Sequence, residues 1–281
     1  MSNNVWFITG ASKGLGLLLA QQLLARGHRV AATSRHIDAL VAKVGAPSDR
    51  FLPLAMQITD EASVGAAVTA TLAHFGALDV VVNNAGYGQF GTVEEVSDAE
   101  ARRNYDVNVF GTLNVVRAAT PHLREQRTGH VFNISSIGGF VGGFSGFGIY
   151  CSTKFAVAGL TEGLRADLAP LGVNVTLVYP GYFRTEFLTS DSLQHPARPI
   201  AAYADARASQ TQHTEHINGA QPGDPARAVA AMIDLYERGE APLHLFLGSD
   251  AVHMAEAKLA AVTAEIEALR AVSVATDFSA P

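Results

Sequence analysis

Short apolar runs alternate with longer amphipathic stretches along most of the 281-residue chain. Apolar runs of strand length, each followed by a segment with helical periodicity, predict parallel strands joined by helices. Such a sheet carries helices on both faces, because both faces of its strands are apolar. We therefore predict an α/β fold with one doubly wound, Rossmann-type parallel sheet of about seven strands. The strands are expected near residues 4–9, 28–33, 51–56, 78–82, 129–135, 172–178 and 243–247.

The helices expected between these strands have recognisable ends. Asp60 precedes one helix as an N-capping residue, and Gly27, Gly76 and Gly172 follow others, where a left-handed residue is favoured. No repeat, charge block or linker divides the chain, so residues 1–281 are expected to form a single domain. The predicted helices cover residues 14–26, 60–75, 100–126, 149–170 and 223–238, with a shorter one near 36–44.

Two regions depart from the alternation. Residues 186–222 are rich in Ala, Gln, His, Ser and Pro with weak periodicity, which predicts a mobile substrate lid with one or two short helices. Residues 250–271 predict an amphipathic C-terminal helix. Its apolar face is expected to pack on its own domain or on a sister subunit rather than on a membrane.

Composition narrows the class of protein. Hydrophobic content of 48% with 16% charged residues is typical of a globular chain. The net charge of −6 provides no positive surface for nucleic acid or an anionic membrane. The only cysteine, Cys151, excludes an intramolecular disulfide, and the N-terminus lacks a secretory signal pattern, so a cytoplasmic location is expected. We expect Cys151 to pack rather than react, because no base is placed beside it.

A glycine cluster follows the first predicted strand and opens the first predicted helix. Its spacing is G-x-x-x-G-x-G, beginning at Gly10. Glycines let the backbone approach a pyrophosphate, and the N–H groups at a helix N-terminus bind it. The alternative is a tight turn without a ligand. The cofactor-binding residues expected here are Gly10, Ser12, Lys13, Gly14, Leu15 and Gly16.

The second predicted strand ends in Ser34 and Arg35. An acidic residue at this place would bind the ribose hydroxyls of NAD and repel a 2′-phosphate. Here a guanidinium replaces the carboxylate, and Lys13 adds a second cation. The pattern favours NADP(H), with NAD(H) possible; the alternative is that both residues are ordinary surface cations.

Tyr150 and Lys154 are four residues apart in a predicted helix and therefore share one face. An adjacent ammonium favours the phenolate form of a tyrosine, whose free pKa is about 10. A tuned phenol suits carbonyl–alcohol interconversion, which needs an acid at oxygen while hydride reaches carbon. The pair alone is weak evidence, because this spacing also arises by chance.

Six motifs in order make the chain resemble the short-chain dehydrogenase/reductase family over roughly residues 4–250. Each motif is weak by itself, whereas the ordered set is specific. The long C-terminal part is similar to the hydroxysteroid- and retinol-type branch, whose members take bulky apolar alcohols and ketones. The motifs are T-G-A-S-K-G-L-G (Thr9 to Gly16), N-N-A-G (Asn83 to Gly86), Asn108, Ser136, Tyr150 with Lys154, and P-G-x-x-x-T (Pro180 to Thr185).

The resemblance implies a role for each residue of a tetrad. Tyr150 would be the acid/base, and Ser136 would hydrogen-bond the substrate oxygen. Lys154 would bind the nicotinamide ribose and lower the pKa of Tyr150, while Asn108 would hold a water that relays protons. Ser135 is expected to pack in the strand end.

The resemblance also implies contacts to the rest of the cofactor. Thr185 and the Pro180-Gly181 turn would fix the nicotinamide carboxamide. Gln57 stands where the family usually has an Asp for the adenine amino group, and an amide can make a similar hydrogen bond. The interval between Ser136 and Tyr150 is one residue longer than usual, which should reshape the glycine-rich loop. Further expected cofactor contacts are Ile58, Asn84, Ala85, Gly86, Phe183, Tyr150 and Lys154.

Apolar residues near these motifs predict an apolar pocket for an aromatic or lipid-like ketone. The alternative is that any one of them is core or subunit interface. His195, His213 and His216 complete no metal-ligand set, so no metal is expected. The pocket candidates are Ser136, Phe90, Phe140, Val141, Phe144, Phe147, Tyr182, Phe187 and Leu188.

The sequence thus predicts an NADP(H)-dependent oxidoreductase that interconverts a bulky apolar ketone or aldehyde and its alcohol. An NAD-dependent secondary-alcohol dehydrogenase is the nearest alternative. A non-catalytic NADP(H) sensor would not need an intact tetrad, and a sugar-nucleotide epimerase would need a larger C-terminal domain. A small-molecule substrate is the expected ligand. A homodimer or homotetramer is expected through the helices at 100–126 and 149–170.

Overall fold

The structure is a computed structural model that describes residues 3–189 and 192–278. Seven parallel strands form the main sheet, in the order β3-β2-β1-β4-β6-β7-β9, and the remaining two, β5 and β8, pair separately. The predicted α/β architecture and strand number are confirmed. The strands are β1 (Val5–Ile8), β2 (Arg29–Ser34), β3 (Phe51–Ala55), β4 (Val80–Asn83), β5 (Gly88–Gln89), β6 (His130–Ile134), β7 (Asn174–Pro180), β8 (Leu193–Gln194) and β9 (His244–Leu247).

Helices cover both faces of the sheet. One layer contains α1, α2 and α8, and the opposite layer contains α3, α5 and α6. Short 3₁₀ turns follow β6, α6 and β7. The α-helices are α1 (Gly14–Ala25), α2 (Ile37–Val44), α3 (Glu61–Phe75), α4 (Asp98–Tyr105), α5 (Gly111–Gln126), α6 (Gly148–Leu168), α7 (Ala204–Thr211), α8 (Pro225–Glu237) and α9 (Ser249–Val274).

Strand β1 shows why its sequence is apolar throughout. Trp6 and Ile8 pack into the core beneath α1 and α8, whereas Val5 and Phe7 pack into the core beneath α3 and α5. All four side chains are fully buried. Alternate residues of a strand point to opposite faces, so a strand covered on both faces has no polar position.

The helix predicted over residues 100–126 is instead two α-helices joined by a π-helical segment, Asp106–Phe110. Helix α4 begins at a capping box, in which Ser97 and Glu100 satisfy each other's backbone N–H groups. Hydrophobic periodicity is evaluated over windows of about 11–18 residues, so a π-helical segment of 5 residues is too short for it to reveal. Such turns are frequent at functional sites, and this one contains Asn108.

Residues 186–222, called the lid segment below, contain α7 and a second π-helical stretch, Gln212–Ile217, which confirms the expected short helices. The sequence did not predict that β8 of this segment would pair with β5. A buried carboxylate adds a second attachment. Glu95 accepts hydrogen bonds from the Ile200 N–H at 2.7 Å and from the Arg207 guanidinium at 2.8 Å.

Helix α9 extends beyond its predicted bounds and packs on the domain only at its start. Ala251 and Ala255 are its buried residues. The prediction that its apolar face packs on its own domain therefore holds for the first two turns only. Within the described ranges, the structure contains no helix both long and apolar enough to cross a membrane. The large apolar residues exposed on α9 are Val252, Leu259, Val262, Ile266, Leu269, Val272 and Val274.

Candidate active site

The glycine cluster and the N-N-A-G motif form one structural unit. Gly10 has a φ of +65°, and a Cβ there would lie 2.8 Å from the Ala85 Cα. The Thr9 hydroxyl accepts from the N–H groups of Asn84 and Ala85, both at 3.0 Å. The Asn84 amide donates to the carbonyls of Thr9 and Gly10 at 2.9 and 3.0 Å. Two motifs whose bonded residues are about 75 positions apart in the chain thus hold each other in place.

A cavity of about 830 Å³ begins at this unit and continues past Tyr150 to the lid segment. The first N–H groups of α1 face it without a side-chain cap, which leaves them free for an anion. Gly16 is the exception among the predicted cofactor residues, because it is buried against Asn84 and does not line the cavity. The residues that do line it are Gly10, Ser12, Lys13, Gly14, Leu15, Ser34, Arg35, Gln57, Ile58, Asn84, Ala85, Gly86, Tyr150, Lys154, Pro180, Gly181, Phe183 and Thr185.

The predicted 2′-phosphate end of the cavity carries unpaired positive charge. Arg35 is exposed at the cavity, and neither its side chain nor that of Lys13 has a hydrogen-bond or ion-pair partner in the described part of the chain. A third cation was not predicted: the Lys43 ammonium, on α2, donates to the Ser12 carbonyl at 3.0 Å. No motif marks Lys43, since only the packing of α2 brings it to the glycine loop.

Helix α6 carries Tyr150 and Lys154 on one buried face, as predicted. The Lys154 ammonium lies 5.9 Å from the Tyr150 ring centroid. It donates to the Ile134 carbonyl at 2.9 Å, at the end of β6. Both side chains line the cavity, so a ligand there meets a phenol and an ammonium together.

The electrostatics of this pair differ from the sequence-based expectation. Burial raises the pKa of Tyr150 above its ordinary value, and hydrogen bonding to Ser136 only partly opposes that effect. Burial also lowers the pKa of Lys154 to about 8. Desolvation disfavours the charged form of each group, so the chain's own residues do not lower the pKa of Tyr150 as predicted.

The two adjacent serines have different partners. Ser136 caps the 3₁₀ turn after β6, with its hydroxyl accepting from the Gly138 N–H at 3.0 Å, and it lies near enough to Tyr150 to lower the pKa of that phenol in part. The Ser135 hydroxyl instead donates to the Lys154 carbonyl at 3.0 Å. This arrangement supports the choice of Ser136 as the serine that meets the substrate.

Asn108 fixes the loop beside Tyr150. Its Oδ1 accepts from the Tyr87 N–H, and its amide donates to the Tyr87 carbonyl and to the Thr153 hydroxyl, all at 3.0 Å. Both amide hydrogens are therefore occupied. The proton-relay water stays a prediction, and any such water has to use an acceptor oxygen of Asn108.

The P-G-x-x-x-T motif reaches the glycine loop. A Cβ on Gly14 would lie 3.8 Å from the Thr185 Cβ, and both residues line the cavity. Asp250, which no sequence motif marks, fixes this turn from the first turn of α9. Its Oδ2 accepts from the Tyr182 N–H at 2.6 Å. The Asp250 carboxylate also leaves no room for a side chain at position 181, which is a glycine.

The substrate end is only partly as predicted. Phe90 is fully buried behind Phe147, with ring centroids 5.1 Å apart, and does not line the cavity. Phe140 packs against Tyr179 and Phe246 in the core, and Val141 packs beside α9. Apolar character alone does not separate a pocket wall from the layer behind it. The predicted residues that line the cavity are Ser136, Phe144, Phe147, Tyr182, Phe187 and Leu188, and those missed include Ser192, Gln194, His213 and Gln221.

The remaining reactive side chains do not form a second site. Cys151 is buried, and burial raises the pKa of its thiol to about 11, which fits a packing role. Over residues 3–189 and 192–278 there is no group of three or more His, Cys, Asp or Glu that would hold a metal ion. His195 contacts Gln210, and His213 contacts Tyr182.

Comparison with known proteins assigns the family. A profile of the short chain dehydrogenase family matches residues 4–195. The chain is 35% identical to the oxidoreductase BOA17 of Botryotinia fuckeliana, over 97% of this chain and 98% of that protein. It is 34% identical to 3-ketodihydrosphingosine reductase of Bacteroides thetaiotaomicron, over 83% and 84%. The chain therefore belongs to the short-chain dehydrogenase/reductase family and is an NAD(P)-dependent oxidoreductase.

Solved structures agree with this assignment. A short-chain dehydrogenase from Streptomyces avermitilis is 38% identical with a TM-score of 0.90, covering 99% of this chain and 100% of that one. The 3-ketoacyl-(acyl-carrier-protein) reductase of Brucella melitensis, solved with NADH, is 26% identical with a TM-score of 0.71 over 87% and 96%. ElxO, solved with NADP, is 26% identical with a TM-score of 0.72 over 90% and 100%. Relatives thus bind either cofactor.

Proposed function

We propose that this protein is an NADP(H)-dependent reductase of a bulky, largely apolar ketone or aldehyde, and that it also oxidises the corresponding alcohol. The observation that carries the proposal is the position of Tyr150 and Ser136. Both line a continuous cavity between the glycine loop and the aromatic lid segment. A carbonyl group placed there would meet a proton donor at its oxygen and a bound dinucleotide at its carbon.

Each catalytic side chain has a defined part in this reaction. The bound nicotinamide supplies the hydride. Tyr150 gives its hydroxyl proton to the carbonyl oxygen, which also accepts a hydrogen bond from Ser136. Lys154 stabilises the resulting phenolate and binds the ribose, and Asn108 holds the 86–87 loop against α6. The ketone gains a hydride and a proton and leaves as the alcohol.

The cofactor preference rests on charge. The side chains of Arg35 and Lys13 are free of partners within the described residues and line the cavity beside the glycine loop. A 2′-phosphate would give each of them a charge-assisted hydrogen bond, whereas the neutral ribose of NAD would not. NAD-linked oxidation of a secondary alcohol is the second candidate, since one relative was solved with NADH.

The size and chemistry of the substrate follow from the cavity walls. Phe144, Phe147, Phe187 and Leu188 line the end beside Tyr150. Aromatic walls favour an apolar substrate body. The name of one relative, 3-ketodihydrosphingosine reductase, agrees with a lipid-like ketone. The lid function of residues 186–222 is part of this proposal.

The direct test measures NADPH oxidation with a panel of aromatic and aliphatic ketones, and NADP⁺ reduction with the matching alcohols. NADH and NAD⁺ are run in parallel, with Tyr150→Phe as the inactive control. We expect bulky ketones to be reduced with NADPH by the wild type only. NADPH binding without turnover of any carbonyl compound would support the sensor alternative and overturn the proposal.

We also propose a homo-oligomer in the cytoplasm. Phe110 and Phe155 are 50% and 43% exposed on the helices predicted to pair, which is unusual for side chains of this size. The apolar residues Val157, Leu164 and Leu168 on α6 are buried in the chain's own core and provide no support for an interface. The exposed apolar face of α9 is available for a second contact.

Oligomeric state is tested by light scattering at micromolar concentration. We expect a dimer or tetramer for the wild type and a smaller species for Phe110→Glu/Phe155→Glu. Val93→Glu is a matched control, since Val93 is exposed outside these helices. A monomeric wild type would contradict this part of the proposal without affecting the proposed reaction.

A further inference from the structure

A tyrosine–histidine pair lies in the wall of the substrate cavity and has no part in the proposed hydride transfer. The Tyr182 hydroxyl and His213 Nε2 are 2.9 Å apart, and both residues line the cavity. Tyr182 follows the Pro180-Gly181 turn, whereas His213 belongs to the π-helical stretch of the lid segment. The pair therefore joins the cofactor side of the cavity to the lid.

The second nitrogen of His213 fixes the direction of this hydrogen bond. Nδ1 lies 2.7 Å from the Ser209 carbonyl, which is only an acceptor, so Nδ1 carries the hydrogen. In the neutral ring Nε2 is then an acceptor, and the Tyr182 hydroxyl donates to it. The Tyr182 oxygen keeps unused acceptor capacity, and a group that donates a hydrogen bond would match it.

The pair is close to the reacting centre but separated from it by one aromatic ring. The Phe147 ring lies 4.7 Å from the His213 ring and 6.4 Å from the Tyr150 ring, centroid to centroid. A substrate whose carbonyl meets Tyr150 and whose apolar body passes Phe147 would bring its far side to Tyr182 and His213.

An independent observation gives the same cavity a donor as well, on the 213–223 segment, whose Gly223 N–H donates to the Tyr182 carbonyl at 3.0 Å. Gln221 is 1% exposed and lines the cavity. Its Oε1 accepts from the Gly219 N–H at 2.9 Å, but its amide nitrogen has no partner among the residues the structure describes. A buried polar group without a partner is costly. Its donors would be satisfied by an oxygen of a bound ligand.

We propose that Tyr182, His213 and Gln221 form a specificity site for a second oxygen of the substrate, and that this oxygen belongs to a hydroxyl group. A hydroxyl both donates, as the Tyr182 oxygen requires, and accepts, as the Gln221 amide requires. The preferred substrate is therefore a keto-alcohol with an apolar body between its two oxygens. This inference rests on the proposed ketone reduction and specifies its substrate class.

The test compares 2-tetralone with its 5-, 6-, 7- and 8-hydroxy derivatives, which are rigid ketones that differ only in one hydroxyl. We expect at least one derivative to show a kcat/KM with NADPH tenfold or more above that of the parent. Tyr182→Phe and His213→Leu should each lower that preference at least fivefold, and Gln221→Leu should lower it as well. Tyr203→Phe is the matched control, because its hydroxyl contacts Glu94 outside the cavity and its preference should equal the wild-type value.

Binding is measured separately from turnover, so that the two proposals can fail independently. Calorimetry with the NADPH complex of Tyr150→Phe should show the same order of dissociation constants, and Tyr150→Phe/Tyr182→Phe should lose it. If ketones are reduced but no hydroxyl derivative is preferred, the specificity site is wrong and the proposed function stands. If the preference for a hydroxyl derivative survives in both Tyr182→Phe and His213→Leu, the proposed specificity site is likewise wrong. If no ketone is reduced, the proposed function fails, and the binding order still decides whether the hydroxyl is recognised.

Discussion

The cofactor half and the substrate half of the cavity are built in different ways. The cofactor half is formed largely by backbone: glycines without side chains, uncapped N–H groups of α1, and Asn84 bonded to the loop carbonyls. The substrate half is formed by side chains from the lid segment and from the 144–150 region, which meet only in the folded chain. A backbone site depends on short motifs, whereas a side-chain site depends on long-range packing. Changes in the two halves should therefore have different consequences.

The largest expected effect lies where the two halves meet. Tyr150→Phe removes the proton donor but keeps the ring, so turnover should fall by about 10²–10⁴ while NADPH affinity and folding are kept. Steady-state kinetics and calorimetry measure these quantities. Tyr179→Phe provides a matched control, since that phenol is buried in the core. Ketone reduction by Tyr150→Phe near the wild-type rate would contradict the assigned role.

The same contrast explains what the sequence could predict. Gly10, Arg35 and Tyr150, which all line the cavity, could be predicted because a ligand or a reaction would restrict the residue type within a short window. Phe90 was misplaced because a phenylalanine behind the pocket wall has the same composition as one in the wall. Glu95 and Asp250 were missed because their partners are about 105 and 68 residues away, and nothing local identifies them.

One added methyl group should disrupt the cofactor half of the cavity. Gly10→Ala and Gly76→Ala share the strain of a positive φ, of about 1–2 kcal/mol. Only Gly10 would also place a Cβ 2.8 Å from backbone, which should cost about 1–3 kcal/mol more. We expect a lower melting temperature for Gly10→Ala and a dissociation constant for NADPH at least tenfold higher. Equal NADPH affinity in the two variants would show that the loop does not approach the cofactor.

The positive charge of Arg35, in the cofactor half of the cavity, should set the preference for NADPH over NADH. Ser34→Asp/Arg35→Ile removes a charge-assisted phosphate contact worth about 1.5–3 kcal/mol. The ratio of kcat/KM for NADPH over NADH should fall by about 10- to 100-fold. Arg198→Ile, on the lid segment, is the control for loss of an arginine outside the predicted phosphate site. Equal use of both cofactors by the wild type would refute the proposed preference.

Burial of Lys154 should appear in the pH dependence of stability. Its pKa falls from 10.5 to about 8 on folding, so between these values the unfolded chain binds more protons and stability rises with pH. This gain in stability is complete above pH 10.5 and is lost as the pH falls through 8. From pH 7 to pH 9 the free energy of unfolding should increase by about 1.4 kcal/mol. Denaturant titrations of Lys154→Met should lack this increase, whereas the exposed Lys258→Met should retain it.

The smallest expected effect concerns the attachment of the lid. Glu95→Gln keeps the shape but removes the charge that Arg207 meets, so KM for the ketone should rise about three- to tenfold with NADPH affinity unchanged. Burial opposes ionisation of Glu95, but hydrogen bonds from Ile200 and Thr92 and the charge of Arg207 hold its pKa below 4.5. The wild-type KM should therefore rise only in acid, as the carboxylate takes up a proton. Glu125→Gln, exposed on α5 and without a contact to the lid segment among the described residues, is the control; a matching rise in KM there would reject the attachment.

The pairing of β5 with β8 also has a consequence for the order of folding. Gly88 and Phe90 donate hydrogen bonds to the carbonyls of Ser192 and Gln194, each at 2.8 Å and each across more than 100 residues of chain. Closing so long a loop for a two-residue ladder is favourable only once the main sheet holds both ends in place. These amides should gain protection from hydrogen exchange last during refolding, and should lose it in local openings that leave β1 and β4 intact. Local opening of the β5–β8 pair, the least stable cooperative unit of the fold, would then admit the substrate.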